Sequence, residues 1–211
     1  MTYVIHADTR IRTMKIGIPI PSLLLLITAL IFPCDMANSE PSQEHPLGNG
    51  IVTLYRPDKD ERATFAYRDK NGAYDRDALV EIAHFFRCRL TDEEHEISPK
   101  LIELLDAMED HFDAPEIQLI SGYRSPLRNS IMSARSRRVA KKSLHTEGMA
   151  ADIKIAGISN RRIRSFAYRL GRGGVGYYGQ KSFVHVDTGP VRTWGWMPPA
   201  LAGRRLAGTQ K

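Results

Sequence analysis

The sequence predicts an α+β domain, a small antiparallel sheet with helices packed on it. Three observations predict it. Strand-like and helix-like hydrophobic periods interleave irregularly along the chain, with no visible repeat. Two alternating segments near residue 60 bracket a turn, which is the pattern of an antiparallel hairpin. The 211 residues, 42% hydrophobic and 26% charged, have the size and composition of one globular domain with a real core.

The hairpin comes first. Ile51–Arg56 and Ala63–Arg68 alternate apolar and polar residues around Pro57-Asp58-Lys59-Asp60, and Asp69-Lys70-Asn71-Gly72 forms a second turn. From Asp75 to Arg87, the apolar residues Ala78, Leu79, Ile82, Ala83, Phe85 and Phe86 line one helical face. Cys88, just beyond, reads as a small buried hydrophobe. Ser98 is a good N-cap and Pro99 a good first residue for a helix reaching about Phe112. Ile117–Ile120 is a short buried strand, and Met149–Ile155 and Ser182–Asp187 are further strands. Ser159 to Leu170 is a basic amphipathic helix, stopped by Gly171 and followed by a Gly173-Gly174 turn.

The ends of the chain differ from this core. Arg10, Arg12 and Lys15 precede an uncharged run from Ile16 to Phe32, and polar residues follow. That layout predicts an export signal over residues 1–39, read by the general secretory route because no twin-arginine pair precedes the run. The alternative is an uncleaved N-terminal anchor, which would be the chain's one attachment to a membrane. Met14 offers an alternative start. Residues 40–50 read as a polar linker, 51–196 as the domain, and 197–211 as a loose tail. The expected location is the periplasm.

Charge and cysteine content narrow the function. With 30 Lys and Arg against 24 Asp and Glu, the net charge is +6, and without residues 1–39 it is +5. A basic balance favours anionic partners. Two cysteines, Cys34 and Cys88, exclude a disulfide scaffold and Cys-rich zinc modules. The basic runs Arg135-Ser-Arg137-Arg138, Lys141-Lys142 and Arg161-Arg162-x-Arg164 would suit nucleic acid in a cytosolic protein. The export signal argues against that partner, and Arg161, Arg162 and Arg164 read as a solvated helix face.

Of seven histidines, two stand in unusual settings. His145 precedes a glycine turn in Ser143-Leu-His-Thr-Glu-Gly-Met-Ala-Ala-Asp152. His185 lies in Phe183-Val-His-Val-Asp187, where strand alternation puts His185 and Asp187 on one face. His84, His95 and His111 sit in or beside helices with no partner at metal-ligand spacing. Asp152 is a carboxylate within an apolar strand, which is costly unless it is paired or binds a metal. Two arrangements answer that need. In one, His145, Asp152 and His185 form a zinc set with a fourth position left to water. In the other, Asp152 pairs with an arginine and His185 is a satisfied strand histidine.

The residues also carry a resemblance. Ser143-x-His145-x-x-Gly148-x-Ala150-x-Asp152 is similar to the signature of zinc D-Ala-D-Ala carboxypeptidases and dipeptidases, and Ser121-Gly-Tyr-Arg-Ser125 to a second element of that superfamily. Beyond these motifs, QLISGYRS, ARSRRVAKKSLHTEGMAADI, GRGGVGYY and FVHVDTGPVRTW closely resemble its murein endopeptidase K group. The resemblance implies a zinc metallopeptidase of the cell wall with the fold of D-Ala-D-Ala peptidase and hedgehog-type domains. It implies one zinc ion per chain on His145, Asp152 and His185. It also implies that Arg124 lies beside the metal to hold a substrate carboxylate or the developing oxyanion, a task its two-pronged donor fork suits. Ser143 orients substrate. The implied substrate is the stem peptide of peptidoglycan, the implied bond the meso-diaminopimelate crosslink, and the enzyme a monomer. Murein carboxylates also account for the basic runs, and Tyr177, Tyr178 and Trp194 are candidates for the groove wall.

One departure is plain. Many relatives carry an acid three residues before the last histidine as general base, and here that position is Ser182. Asp187 is the substitute, either as base or as the partner that fixes the His185 tautomer, and Glu147 is a further candidate. Two alternatives share the site: a D,D- or L,D-carboxypeptidase acting on uncrosslinked stems, and a wall-binding module without catalysis.

Overall fold

A computed structural model describes residues 47–136, 139–178 and 183–195. The export segment 1–39, Ser182 and the tail 197–211 lie outside the described residues, as do Arg137, Arg138 and the linker up to residue 46.

Local sequence accounts for most elements. Strands β1 (Ile51–Arg56) and β2 (Glu61–Ala66) form the expected hairpin, in register from Ile51↔Ala66 to Arg56↔Glu61. Helix α1 (Arg76–Phe85) starts at Asp75, whose carboxylate accepts from the amides of Asp77 and Ala78 at 2.9 and 3.1 Å. Helix α2 (Pro99–Phe112) begins at Ser98-Pro99 as predicted, although the Ser98 side chain makes no capping bond. Strand β3 (Ile117–Ser121) follows, and then α3 (Pro126–Arg135), which the hydrophobic pattern did not reveal. Strand β4 (Ala150–Lys154) precedes α4 (Asn160–Leu170), which stops at Gly171 in the left-handed conformation. The glycine-rich stretch after it is strand β5 (Gly174–Tyr178) rather than a turn. Strands β6 (Phe183–Asp187) and β7 (Arg192–Trp194) complete the fold.

The class is α+β as expected, but the sheet is mixed rather than antiparallel. Its order is β2-β1-β3-β4-β6-β5-β7, with β1 parallel to β3 and β5 parallel to β7. Strand β2 and two helices lie between β1 and β3, and a connection that long allows a parallel neighbour. Nothing in an alternating pattern encodes strand direction. One face of the sheet carries the core. Helix α2 packs on β1, and α4 packs on β5 and β6. Leu101, Leu105, Ile163, Ile153, Val184 and Val186 are buried there, each worth about 1.5–3 kcal/mol relative to exposure. Cys88 is buried and unpaired, as read.

Two expectations change. Arg164, read as part of a solvated face, is fully buried, with its guanidinium 5.9 Å from the Tyr177 ring. Its position on α4 beside Ile163 and Ala167 puts it on the inner stripe. Residues 47–50, read as the end of a linker, fold against α2. The amides of Asn49 and Gly50 donate to the buried Asp106 carboxylate at 3.2 and 2.8 Å, and the Tyr67 hydroxyl joins them at 2.7 Å. A carboxylate in the core needs such donors, and the polar segment supplies two of them. Among the described residues, no helix is long and apolar enough to cross a membrane.

Candidate metal centre

The strand register builds the site. Asp152 on β4 is the direct partner of His185 on β6, and His185 is in turn the partner of Gly176 on β5, which pairs with Trp194 on β7. Residues paired across a sheet share a face, so one ladder row carries Asp152, His185 and Trp194 on the side away from the core. His145 arrives from a 3₁₀ turn, Leu144–Glu147, that runs into β4. Gly148 ends that turn at φ 64°, and a side chain there would collide with the Glu96 carbonyl.

The three side chains meet. His145 Nε2 lies 3.3 Å from Asp152 Oδ1 and 3.2 Å from His185 Nδ1, and His185 Nδ1 lies 2.9 Å from Asp152 Oδ1. The outer nitrogen of each ring is already committed. His145 Nδ1 donates to the Gly122 carbonyl at 2.8 Å, and His185 Nε2 donates to Asp187 Oδ2 at 3.0 Å. A carbonyl and a carboxylate can only accept, so each ring's proton sits on that outer nitrogen. Both inner nitrogens then present lone pairs to a carboxylate oxygen. Three buried acceptors converging on one point form a group that can hold a metal ion between them. Tetrahedral zinc with bonds of about 2.0–2.1 Å spaces its ligand atoms about 3.3 Å apart, close to the separations found here.

Electrostatics set the charge of each group. Burial pushes the Asp152 carboxyl up, but the two imidazoles outweigh it and hold the group well below the usual carboxylate range. Burial pulls His145 down, toward the neutral form that a metal takes. In His185, burial is outweighed by the hydrogen bonds that the protonated ring would make to Asp152 and Asp187, and its pKa rises. Burial likewise raises Asp187, but the hydrogen bond from His185 and the amides of Gly174 and Gly189 bring it to about 2.

Asp187 stands behind His185. It is fully buried and does not line the cleft. Arg192 from β7 donates to both of its oxygens, at 3.1 and 2.8 Å. That reach depends on Gly174, where a Cβ would lie 2.5 Å from Asp187 Oδ2 and 2.7 Å from Arg192 Nη1. Gly176, two residues on, leaves the same room for the Trp194 ring, whose centroid is 5.1 Å from that of His185. Thus two glycines on one face of β5 let β7 support the histidine.

The open side of the three acceptors faces a cleft of about 730 Å³. Arg124 lines it, with Nη2 donating to Asp152 Oδ2 at 3.4 Å and its backbone amide donating to the His145 carbonyl at 3.0 Å. Burial lowers the Arg124 pKa, and the Asp152 charge opposes that. Asp152 therefore faces two imidazoles and an arginine together. Ser143 lines the cleft too, as do Tyr177, Tyr178 and Trp194, with the Trp194 indole donating to the Tyr178 hydroxyl at 3.0 Å.

A family model described as peptidoglycan L,D-endopeptidase MepK matches residues 47–194. The chain belongs to that family. It is a peptidase. It is 41% identical over 145 residues to peptidoglycan L,D-endopeptidase MepK of Escherichia coli (strain K12), covering 68% of this chain and 79% of that one. To the probable peptidoglycan L,D-endopeptidase MepK of Haemophilus influenzae it is 40% identical over 118 residues, 55% of this chain and 63% of the relative. No solved structure matches. The family match begins at residue 47, whose amide donates to Glu103 on α2 at 3.5 Å.

Of the candidates read from sequence, His145, Asp152, His185, Arg124 and Ser143 come together at the cleft, and Asp187 joins them from behind. Glu147 is exposed and does not line it. His84 pairs with Glu94, while His95 and His111 stack on Tyr123 and Phe166. Sequence reasoning missed Arg192, the Gly122 carbonyl and Asn129. The first two lie inside recognised motifs and give no separate signal. Asn129 lies on α3, a helix the pattern did not reveal.

Proposed function

We propose that the chain is a zinc-dependent peptidoglycan endopeptidase that hydrolyses crosslinks joining two meso-diaminopimelate residues of neighbouring stem peptides. The observation that carries this is the convergence of His145 Nε2, Asp152 Oδ1 and His185 Nδ1, mutually within 3.3 Å, at the edge of a cleft. The family match supports this class of bond. An L,D linkage is what connects the L centre of one diaminopimelate to the D centre of the next, and the relatives are named for that specificity. The export segment read in residues 1–39 fits a periplasmic enzyme.

His145, Asp152 and His185 would hold the ion. Zinc bound there supplies Lewis acidity and acidifies a coordinated water toward a pKa of about 7. The remaining tasks fall to the chain. Arg124 offers its guanidinium to the carbonyl oxygen as negative charge develops on it. Tyr178 and Trp194 form an apolar wall that excludes water beside His185. We assign Asp187 to orienting His185, because both of its oxygens are occupied by donors and none of it faces the cleft. The Gly122 carbonyl does the same for His145.

Digestion of purified sacculi by the zinc-loaded protein tests the activity. Loss of diaminopimelate-linked dimers is expected. Loss of terminal D-alanine alone would identify a carboxypeptidase, and sacculus binding without hydrolysis would identify a binding module. The Asp187 assignment predicts a second result. Asp187→Asn should weaken zinc binding about 10–100-fold, as loss of an outer partner does, while saturating zinc restores most of the turnover. A variant that binds zinc normally yet does not turn over would mark Asp187 as the base.

A further inference from the structure

Among the described residues, three cations line the cleft: Arg124, Lys142 and Arg192. Arg192 is committed to Asp187 through both terminal nitrogens, and Nη1 also donates to the Pro190 carbonyl at 3.0 Å. Arg124 is tied to Asp152. Lys142 is exposed and has no acidic partner among the described residues. The single carboxylate lining the cleft among those residues is Asp152, which belongs to the metal donors. Among the described residues, the uncommitted positive charge at the cleft is therefore that of Lys142.

The position of Lys142 is built. Asn129 on α3 is buried, and its Nδ2 donates to the Ala140 carbonyl at 3.1 Å and to the Lys141 carbonyl at 2.9 Å. Both protons of the amide are spent on the two peptide units that precede Lys142. On the other side, the Ser143 carbonyl accepts from the Thr146 amide at 2.8 Å and from the Thr146 hydroxyl at 2.6 Å. Lys142 is bracketed by fixed backbone, so its flexible stem starts from a defined point on the cleft wall. An exposed lysine on a loose loop has no need of a buried amide clamp.

An uncommitted ammonium beside a hydrolytic centre selects an anionic group on the substrate. In a crosslink between diaminopimelates, the centre that gives its amine to the scissile amide keeps its own carboxylate, one carbon away from the amide nitrogen. We propose that Lys142, held by Asn129, binds that carboxylate and makes the enzyme discriminate against substrates in which it is amidated. The proposal rests on the endopeptidase reading for its substrate.

The test pairs two measurements on zinc-loaded protein. The first is kcat and KM for crosslinked peptides bearing either a carboxylate or a carboxamide at that centre. The second is calorimetric binding of the corresponding cleavage products, which needs no turnover. In the wild type, amidation should raise KM and weaken product binding about tenfold, the scale of one charge-assisted hydrogen bond. Lys142→Gln should bind both products equally weakly, Lys142→Arg should restore the preference, and Asn129→Ala should reduce it with zinc content unchanged. Equal binding of the two products by the wild type, or a preference that survives in Lys142→Gln, overturns the proposal. A retained carboxylate preference without cleavage would strike the endopeptidase reading and leave Lys142 in its role.

Discussion

Replacing His185 by Ala, or Asp152 by Asn, should drop bound zinc from one equivalent per chain to near none and cut hydrolysis by at least about a thousandfold. The reason lies in how the acceptors are disposed. His145 Nε2, His185 Nδ1 and Asp152 Oδ1 each face the other two within 3.3 Å, and neither imidazole can turn away, because Gly122 and Asp187 hold the outer nitrogens. Removing one donor leaves two, too few for tight binding in competition with water. Thermal unfolding of the metal-free proteins separates loss of the site from loss of the fold, since the core lies on the opposite face of the sheet. The same geometry sets a pH dependence. Hydrogen bonds to Asp152 and Asp187 raise the His185 pKa above its ordinary value despite burial. Zinc needs the unprotonated ring. Affinity is therefore full above that raised pKa and falls as pH drops through it, beginning at a higher pH than for a free imidazole. Competition with a chromophoric chelator at pH 8 and pH 6 measures this. Equal affinity at the two values would mean that His185 is not a ligand.

Much of the site was legible because strand alternation and strand neutrality are strong signals. Asp152 stands out as a charge in an apolar strand, and Val184 and Val186 tell which way His185 points. The joint position of His145 is harder to read, since a 3₁₀ turn of four residues carries no period, and there the motif spacing did what physics could not. Helix α2 was readable to the residue at both ends, because Ser98-Pro99 and Phe112 bound a clean amphipathic run. Helix α3 was missed although Ser125-Pro126 is a cap of the same kind. Its ten residues bury only Asn129, so no apolar stripe announces it. Strand β5 was hidden by the glycines that give it its use. Gly174 and Gly176 read as a turn, whereas a Cβ at either would displace Arg192 or Trp194. Arg164 was misplaced because charge alone argues for solvent, and only the helix stripe argues otherwise. Strand order, and the two parallel pairings with it, depend on connections that cross the sheet and leave no mark on the strands.

Arg124 carries the second large effect. It sits in the loop between β3 and α3, where Ser125 caps α3 by accepting from the Arg128 amide at 3.3 Å, and its own amide donates to the His145 carbonyl. Arg124 is 6% exposed, and its Nε is buried with no acceptor among the described residues. An unmet donor of this kind costs about 1–3 kcal/mol in the resting protein. The guanidinium also stays charged against the pull of burial because Asp152 faces it. A guanidinium fixed before the reaction at the cleft wall stabilises charge as it appears on the carbonyl oxygen without reorganising. Arg124→Ala should keep one zinc per chain and lose about 10²–10³ in kcat, the scale of one oxyanion donor. Arg124→Lys should recover little, because a single ammonium on a flexible stem cannot reproduce the planar fork. If the arginine instead grips a ground-state carboxylate, the loss moves to KM and kcat survives. Unchanged kcat/KM in Arg124→Ala at full zinc occupancy would remove the residue from the reaction altogether. The split between kcat and KM thus assigns the arginine to the oxyanion or to the ground state, and Lys142 supplies the contrast: its substitution should move KM for the carboxylate substrate and leave the amidated one where it was.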